Sequence, residues 1–183
     1  MFIFIAGMTR SGKSAYAERR LLDLAEKRAS ESEKHYQKIY VAAAEIHDDD
    51  PEMLARVESH KARRKGMGFT TIERYRDLGG LELPEKACVL IESLTVWTAN
   101  EMFRGGNVNH NAGGKVYTDF MSIYSRAKDI VVVSDDIFSD GITYDSLTEE
   151  YMRILGGLHV KLAALADEVI EVVSGLPVFY KHS

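Results

Sequence analysis

Residues 7–14 read GMTRSGKS, and the fold turns on how that stretch is read. Gly7, four residues, then Gly12, Lys13 and Ser14 is the Walker A spacing. MFIFIA precedes it and AYAERRLLDLAEKRA follows. The first is a short apolar run of strand type. The second repeats Ala17, Leu21, Leu24 and Ala25 along one helical face. A strand before and a helix after is the context a phosphate loop requires. The residue types follow from the chemistry. Glycines let backbone N–H groups approach phosphate oxygens closely. A helix starting at Lys13 turns its positive dipole end toward the anion. Lys13 reaches the β- and γ-phosphates, and Ser14 offers a hydroxyl to Mg²⁺. The loop specifies a nucleoside triphosphate and leaves the chemistry open.

Outward from the loop, apolar runs alternate with helical patterns. FIFIA (2–6), KIYVAA (38–43), ACVLIE (87–92), DIVVVS (129–134) and EVIEVVS (168–174) read as strands. Residues 13–28, LTVWTANEMF after the third strand, and 146–166 read as helices. Asp50-Pro51 reads as an N-cap followed by proline at the first helical position, opening a helix that carries Met53, Leu54, Val57 and His60. RGGNVNHNAGGK (104–115) reads as a glycine- and asparagine-rich loop. The alternation predicts an α/β fold with a mostly parallel sheet covered by helices on both faces.

The 183 residues fit one domain, 1–183, large enough to bury about 70% of the unfolded surface. A hydrophobic share of 45% excludes a disordered chain. A formal charge of -5 argues against a general nucleic-acid binder, so any cations that hold phosphate must cluster locally. The one cysteine, Cys88, has no internal disulfide partner, which fits a reducing cytoplasm. No stretch reads as a transmembrane span or a signal peptide, so stable membrane insertion is not expected.

A phosphate loop also works with a carboxylate at the end of another strand. VLIE ends in Glu92, read as a metal ligand or base. The alternative is a carboxylate placed for a helix N-terminus, where negative charge is also favourable. We expect the ends of FIFIA and ACVLIE to be neighbours, bringing Glu92 to a metal on Ser14. Asp135 and Asp136 follow VVVS in the same manner. They are open between a functional role and solvated loop carboxylates. His60 stands beside Lys61, Arg63, Arg64 and Lys65; taken alone, this is also what a basic helix end looks like. His35, His47, His110 and His182 fall in loops or at the terminus, His159 falls in the long helix, and their spacing suggests no metal site.

Five pieces together carry a resemblance: GMTRSGKS, YVAAAEIHDDDPEMLARVESHK, TTIE, LIESLTVWTAN and LAALADEVIEVVSGLPV. In order and spacing the chain resembles, over nearly its full length, the bifunctional adenosylcobinamide kinase / adenosylcobinamide-phosphate guanylyltransferase enzymes of cobalamin synthesis. The resemblance implies a P-loop NTPase with a RecA-like sheet, in homo-oligomers, a trimer among them. It implies phosphorylation of a corrinoid small molecule by ATP or GTP. Guanylyl transfer from GTP then gives adenosylcobinamide-GDP and pyrophosphate. By position, the nucleotide contacts fall on Gly7, Met8, Thr9, Arg10, Ser11, Gly12, Lys13 and Ser14. They continue on Ala42, Ala43 and Ala44, on Lys61, Ala62, Arg63 and Arg64, and on Glu73 and Glu92. Ala43 and Ala44 replace hydroxyl residues, leaving backbone contacts there. His60 takes the place of the guanylylated histidine, with Lys13 and Glu92 as the other catalytic groups and Ser14 and Glu92 on the metal.

A neutral imidazole, with an ordinary pKa of about 6.5, is available for that attack at neutral pH, and neighbouring cations favour the neutral form. The chain departs from the family pattern in two places. Asp135-Asp136-Ile137-Phe138 replaces an Asn-Glu-Val-Gly type turn. EEYMRILGGLH keeps a glycine at Gly156, loses an Arg-Asp pair and sets His159 where asparagine stands. These departures fall on the acceptor side or a subunit contact, where Asp135 or Asp136 is expected to line the site. Two other readings remain open from the sequence: a divergent P-loop small-molecule kinase, and a non-catalytic nucleotide-binding regulator.

Overall fold

The computed structural model describes residues 1–32, 35–45, 58–59 and 61–182. The expected helix start at Asp50-Pro51, with Met53, Leu54, Val57 and His60, lies outside the described residues.

A seven-stranded sheet runs in the order β3-β2-β4-β7-β1-β8-β9. Its strands are β1 (Phe2–Gly7), β2 (Lys38–Ala42), β3 (Phe69–Glu73), β4 (Cys88–Glu92), β7 (Asp129–Asp135), β8 (Glu168–Val173) and β9 (Leu176–Lys181). All neighbouring pairs are parallel except β8 with β9. Four helices of the described residues are α1 (Lys13–Ser32), α2 (Leu94–Met102), α3 (Ala112–Tyr124) and α4 (Ser146–Leu165); residues 58–59 and 61–64 are also helical.

The apolar strand sequences follow from burial on both faces. Side chains alternate across a strand, so Phe2 and Phe4 enter one core while Ile3 and Ile5 enter the other. β4 divides likewise, with Val89 and Ile91 on the first side and Cys88 and Leu90 on the second. The first core is closed by Leu94 and Trp97 of α2, Val116 and Phe120 of α3, and Leu155 and Leu162 of α4. The second is closed by Ala17, Leu21, Leu24 and Ala25 of α1, the helical face read from the sequence. Each fully buried large apolar side chain contributes about 1.5–3 kcal/mol. Among the described residues, no helix is long and apolar enough to cross a membrane.

Two expectations change, and one strand is added. β1 and β4 are not neighbours, because β7 lies between them and pairs with both. Residues 104–115 are not one loop. Phe103–Arg104 (β5) and Asn107–Val108 (β6) form a small hairpin, and α3 begins at Ala112, taking Gly113 and Gly114 into its first turn. Burial of Val116, Phe120 and Ile123 outweighs the helix penalty of two glycines, about 1 kcal/mol each. Finally, the chain does not end its sheet at β8. Ser174 and Gly175 both have positive φ, 49° and 84°, which is the turn that returns a strand as a tight hairpin. β9 follows as an exposed edge, where Pro177 is tolerated.

Candidate nucleotide site

Parallel strands deliver their carboxyl ends to one edge of the sheet, and the site is built there. Register ranks the residues. Glu73, Ala42 and Glu92 are paired positions on β3, β2 and β4. Gly7 pairs with Asp135 across β1 and β7. The phosphate loop leaves β1 at Gly7 and enters α1 at Lys13. A Cβ on Gly7 would lie 2.6 Å from the Val172 carbonyl oxygen and 2.8 Å from Ser11 Oγ, so only glycine fits. The far side of the loop is tied down by the Gly175 amide, which donates to the Ser11 carbonyl at 2.7 Å.

The loop opens on a cavity of about 510 Å³. Lys13 lines it, with Nζ 2.7 Å from Asp135 Oδ1 and 3.1 Å from the Met8 carbonyl. Ser14 Oγ donates to Glu92 Oε1 despite the intervening strand. The second oxygen, Glu92 Oε2, accepts from the Tyr40 hydroxyl at 2.8 Å. Burial, reinforced by the Glu92 carboxylate, holds that phenol well above the usual tyrosine range.

The same cavity is lined by the basic segment. Lys61 Nζ lies 3.1 Å from Glu73 Oε1, and both side chains are about half exposed. Arg64 is 7% exposed and lays its guanidinium over the Tyr40 ring, 3.6 Å from the centroid. Its Nε and Nη1 have no hydrogen-bond partner among the described residues, and Nη1 is 3.6 Å from Glu18 Oε1. Arg63 is different. Its Nε and Nη2 clasp both oxygens of the fully buried Glu18 at 2.7 and 2.9 Å, tying the segment to α1.

The cavity therefore brings together Thr9, Arg10, Gly12, Lys13, Ser14, Ala42, Ala44, Lys61, Arg63, Arg64, Glu73 and Glu92 of the residues marked in the sequence. Others stand apart. Met8 is exposed, and Ser11 is buried within the loop. Ala62 lines an adjoining depression of about 810 Å³ beside Lys65 and Phe69. Ala43 is fully buried, its N–H bonded to the Glu92 carbonyl and its own carbonyl accepting from Asn100 Nδ2. The backbone contact expected at Ala43 is thus occupied from within. His60 lies outside the described residues.

The aspartate pair separates. Asp135 faces the cavity, whereas Asp136 accepts from the Phe138 amide and Ser139 Oγ in its own turn. Asp135 is held from behind. Its amide donates to Thr95 Oγ1, which meets Ser134 Oγ, which meets His159 Nε2 at 2.7 Å. His159 packs edge-on against Phe4 and Phe138, and burial pushes its pKa down to about 4. Sequence reading missed Tyr40, Glu18 and Thr95. A tyrosine in the otherwise apolar strand KIYVA was the one visible sign.

Comparison with known proteins agrees with this geometry. The fold is similar to a solved ATPase domain, with a TM-score of 0.53 at 11% identity, covering 99% of this chain and 76% of that one. The flagellar accessory protein FlaH of Methanocaldococcus jannaschii gives 0.51 at 12%, covering 100% and 78%. These likenesses concern the fold alone. A curated relative from Salmonella typhimurium, the bifunctional adenosylcobalamin biosynthesis protein CobU, is 30% identical over 99% of this chain and 100% of its own length. The protein of the same name from Escherichia coli is 28% identical over the same shares. The family model described as cobinamide kinase / cobinamide phosphate guanyltransferase matches residues 3–179. A phosphate loop on a RecA-like sheet, matched from end to end in this way, makes the chain a member of that family and a P-loop transferase of cobalamin biosynthesis with kinase and guanylyltransferase activity.

Proposed function

We propose that GTP or ATP, with Mg²⁺, supplies the groups this enzyme transfers, and that His60 carries the guanylyl group. One observation carries the reading. A single cavity is lined by Lys13, Ser14 and Glu92 together with Lys61 and Arg64.

In the kinase step the adenosylcobinamide hydroxyl oxygen bonds to the γ-phosphorus as the bond to the β–γ bridging oxygen breaks, releasing a nucleoside diphosphate. Asp135 takes the hydroxyl proton once the triphosphate claims Lys13. The Ser14 hydroxyl and Glu92 Oε1 are hard oxygen donors that suit Mg²⁺, which neutralises charge on the β- and γ-oxygens when bound. In the second reaction a neutral His60 nitrogen attacks the α-phosphorus of GTP and pyrophosphate leaves. An oxygen of adenosylcobinamide phosphate then displaces the histidine, breaking the P–N bond and forming adenosylcobinamide-GDP. Lys61 and the Arg64 fork offset the charge on these phosphates. The reading includes a cytoplasmic homo-oligomer in which residues 1–183 act as one nucleotide-binding domain.

The test is GTP labelled at the α- or γ-phosphate, incubated with the protein without a corrinoid to read label on protein, and in parallel with adenosylcobinamide, followed by mass spectrometry of the corrinoid. The α-label should stay on protein in an acid-labile, base-stable bond. His60→Ala should abolish that retention and leave GTP binding intact. Retention of α-label by the variant, or of γ-label alone by the wild type, refutes the mechanism.

A further inference from the structure

Glu92 and Arg64 both line the cavity, and one side chain touches both. Tyr40 is 4% exposed in the middle of β2. Its ring faces the α1 side of the sheet, with Ile39 and Val41 turned the other way. Register pairs Tyr40 with Leu90. Glu92 is two residues further along β4 on the same face, within reach of a phenol. The hydroxyl donates to Glu92 Oε2 at 2.8 Å, which leaves Oε1 directed at Ser14. The face of the same ring carries the Arg64 guanidinium at 3.6 Å.

We propose that Tyr40 is a positioning residue that sets two lining groups of the cavity at once: its hydroxyl orients the Glu92 carboxylate toward Ser14 and the metal, and its ring is the platform that presents Arg64 to phosphate. The inference rests on the nucleotide reading above. An arginine oriented by hydrogen bonds has used its donors. One oriented by a ring face has spent fewer of them: Arg64 lines the cavity, and its buried Nε and Nη1 have no hydrogen-bond partner among the described residues, with only Glu18 Oε1 at 3.6 Å beside Nη1. Glu92, for its part, has one oxygen fixed by a neutral donor that a cation does not repel. The metal-side oxygen is thereby pre-aimed. The phenol keeps its proton throughout the working range, since burial and Glu92 both oppose its ionisation.

Two substitutions separate the roles. Tyr40→Phe keeps the ring and removes the hydroxyl; Tyr40→Leu removes both. GTP binding to the purified full chain is measured by fluorescence titration, first in EDTA and then across a Mg²⁺ series. Tyr40→Phe should bind GTP normally in EDTA and need at least about 10-fold more Mg²⁺ for half of the metal-dependent gain, the lower end of what one hydrogen bond to a charged group is worth. Tyr40→Leu should shift the Mg²⁺ requirement equally and also lose GTP affinity in EDTA by about 5-fold or more. A structural role alone would not move the Mg²⁺ midpoint while leaving metal-free binding unchanged. If Tyr40→Phe keeps the wild-type midpoint, the hydroxyl role is wrong. If Tyr40→Leu binds metal-free GTP as Tyr40→Phe does, the platform role is wrong. A wild type that binds no GTP overturns the nucleotide reading itself, an outcome distinct from both.

Discussion

His159 allows a quantitative prediction, because burial holds its pKa near 4 against about 6.5 in an unfolded chain. Above pH 6.5 the imidazole is neutral in both states and contributes no pH dependence. As pH falls from 6.5 toward 4, the unfolded chain binds a proton that the folded chain does not, so stability falls. Below 4 both states are protonated and the loss levels off. The difference of about 2.5 units corresponds to about 3 kcal/mol in full, and about 2 kcal/mol is already lost at pH 5. Asp135 and Asp136 pull the other way, since their charges favour the imidazolium, yet burial dominates. The assay is urea unfolding of wild type and His159→Asn at pH 7.5 and 5.0. Replacing the ring leaves space beside Phe4 and Phe138 and costs stability at both pH values. That cost cancels in the difference between them, as does the titration of carboxylates common to both proteins. The variant should lose about 2 kcal/mol less than wild type between the two pH values. Equal losses would show that His159 titrates normally and that its packing between the two rings does not exclude the charge.

Two further outcomes follow from the cavity. Lys13→Ala should weaken GTP binding about 100-fold or more while the chain stays folded, because the lysine answers the β- and γ-phosphates; unchanged affinity in an equilibrium titration would end the phosphate-loop reading. Asp135→Asn should tighten GTP several-fold by removing the carboxylate that competes for Lys13, and slow γ-phosphoryl transfer about 100-fold by removing the proton acceptor. Asp136→Asn should do neither, since that carboxylate serves its own turn; matching effects in the two variants would contradict the separation of the pair.

The strands that hold this site were legible because they are apolar on both faces. FIFIA, CVLIE and DIVVVSD lie in the sheet interior, where nothing but burial selects the residues. The edges were not. β3 is FTTIE, half exposed, and β9 is exposed along its length and contains a proline. A solvated edge imposes no hydrophobic pattern. α3 was hidden by glycines whose cost is met by contacts far away in sequence. At the site, motif spacing located the loop, Glu92 and the cations. It could not assign partners, because those are set by strand order. β7 between β1 and β4 is what brings Asp135, and not Glu92, onto Lys13.

The ion pairs of the cavity also set how costly it is to turn each of four of its cations to phosphate. A triphosphate entering here must draw each cation away from a carboxylate, and the cost differs from pair to pair. Lys61 and Glu73 are 53% and 43% exposed. Such a pair contributes about 0–1 kcal/mol, so Lys61 is exchanged almost freely. Arg63 is clasped at two points by Glu18, a side chain with no exposure. Removing it would strand a buried carboxylate, at a cost of about 3–5 kcal/mol. No single phosphate contact returns that much, so Arg63 is framework that anchors the basic segment to α1. Lys13 stands between these cases: its pair with Asp135 is short, but the carboxylate has the cavity beside it and keeps access to a ligand or solvent after release. Arg64 gives up no hydrogen bond at Nε or Nη1, only the longer 3.6 Å contact of Nη1 with Glu18, which Arg63 keeps paired. Of Lys13, Lys61, Arg63 and Arg64, we therefore expect the first two and Arg64 to turn to phosphate, and Arg63 to hold the segment from which Lys61 and Arg64 reach.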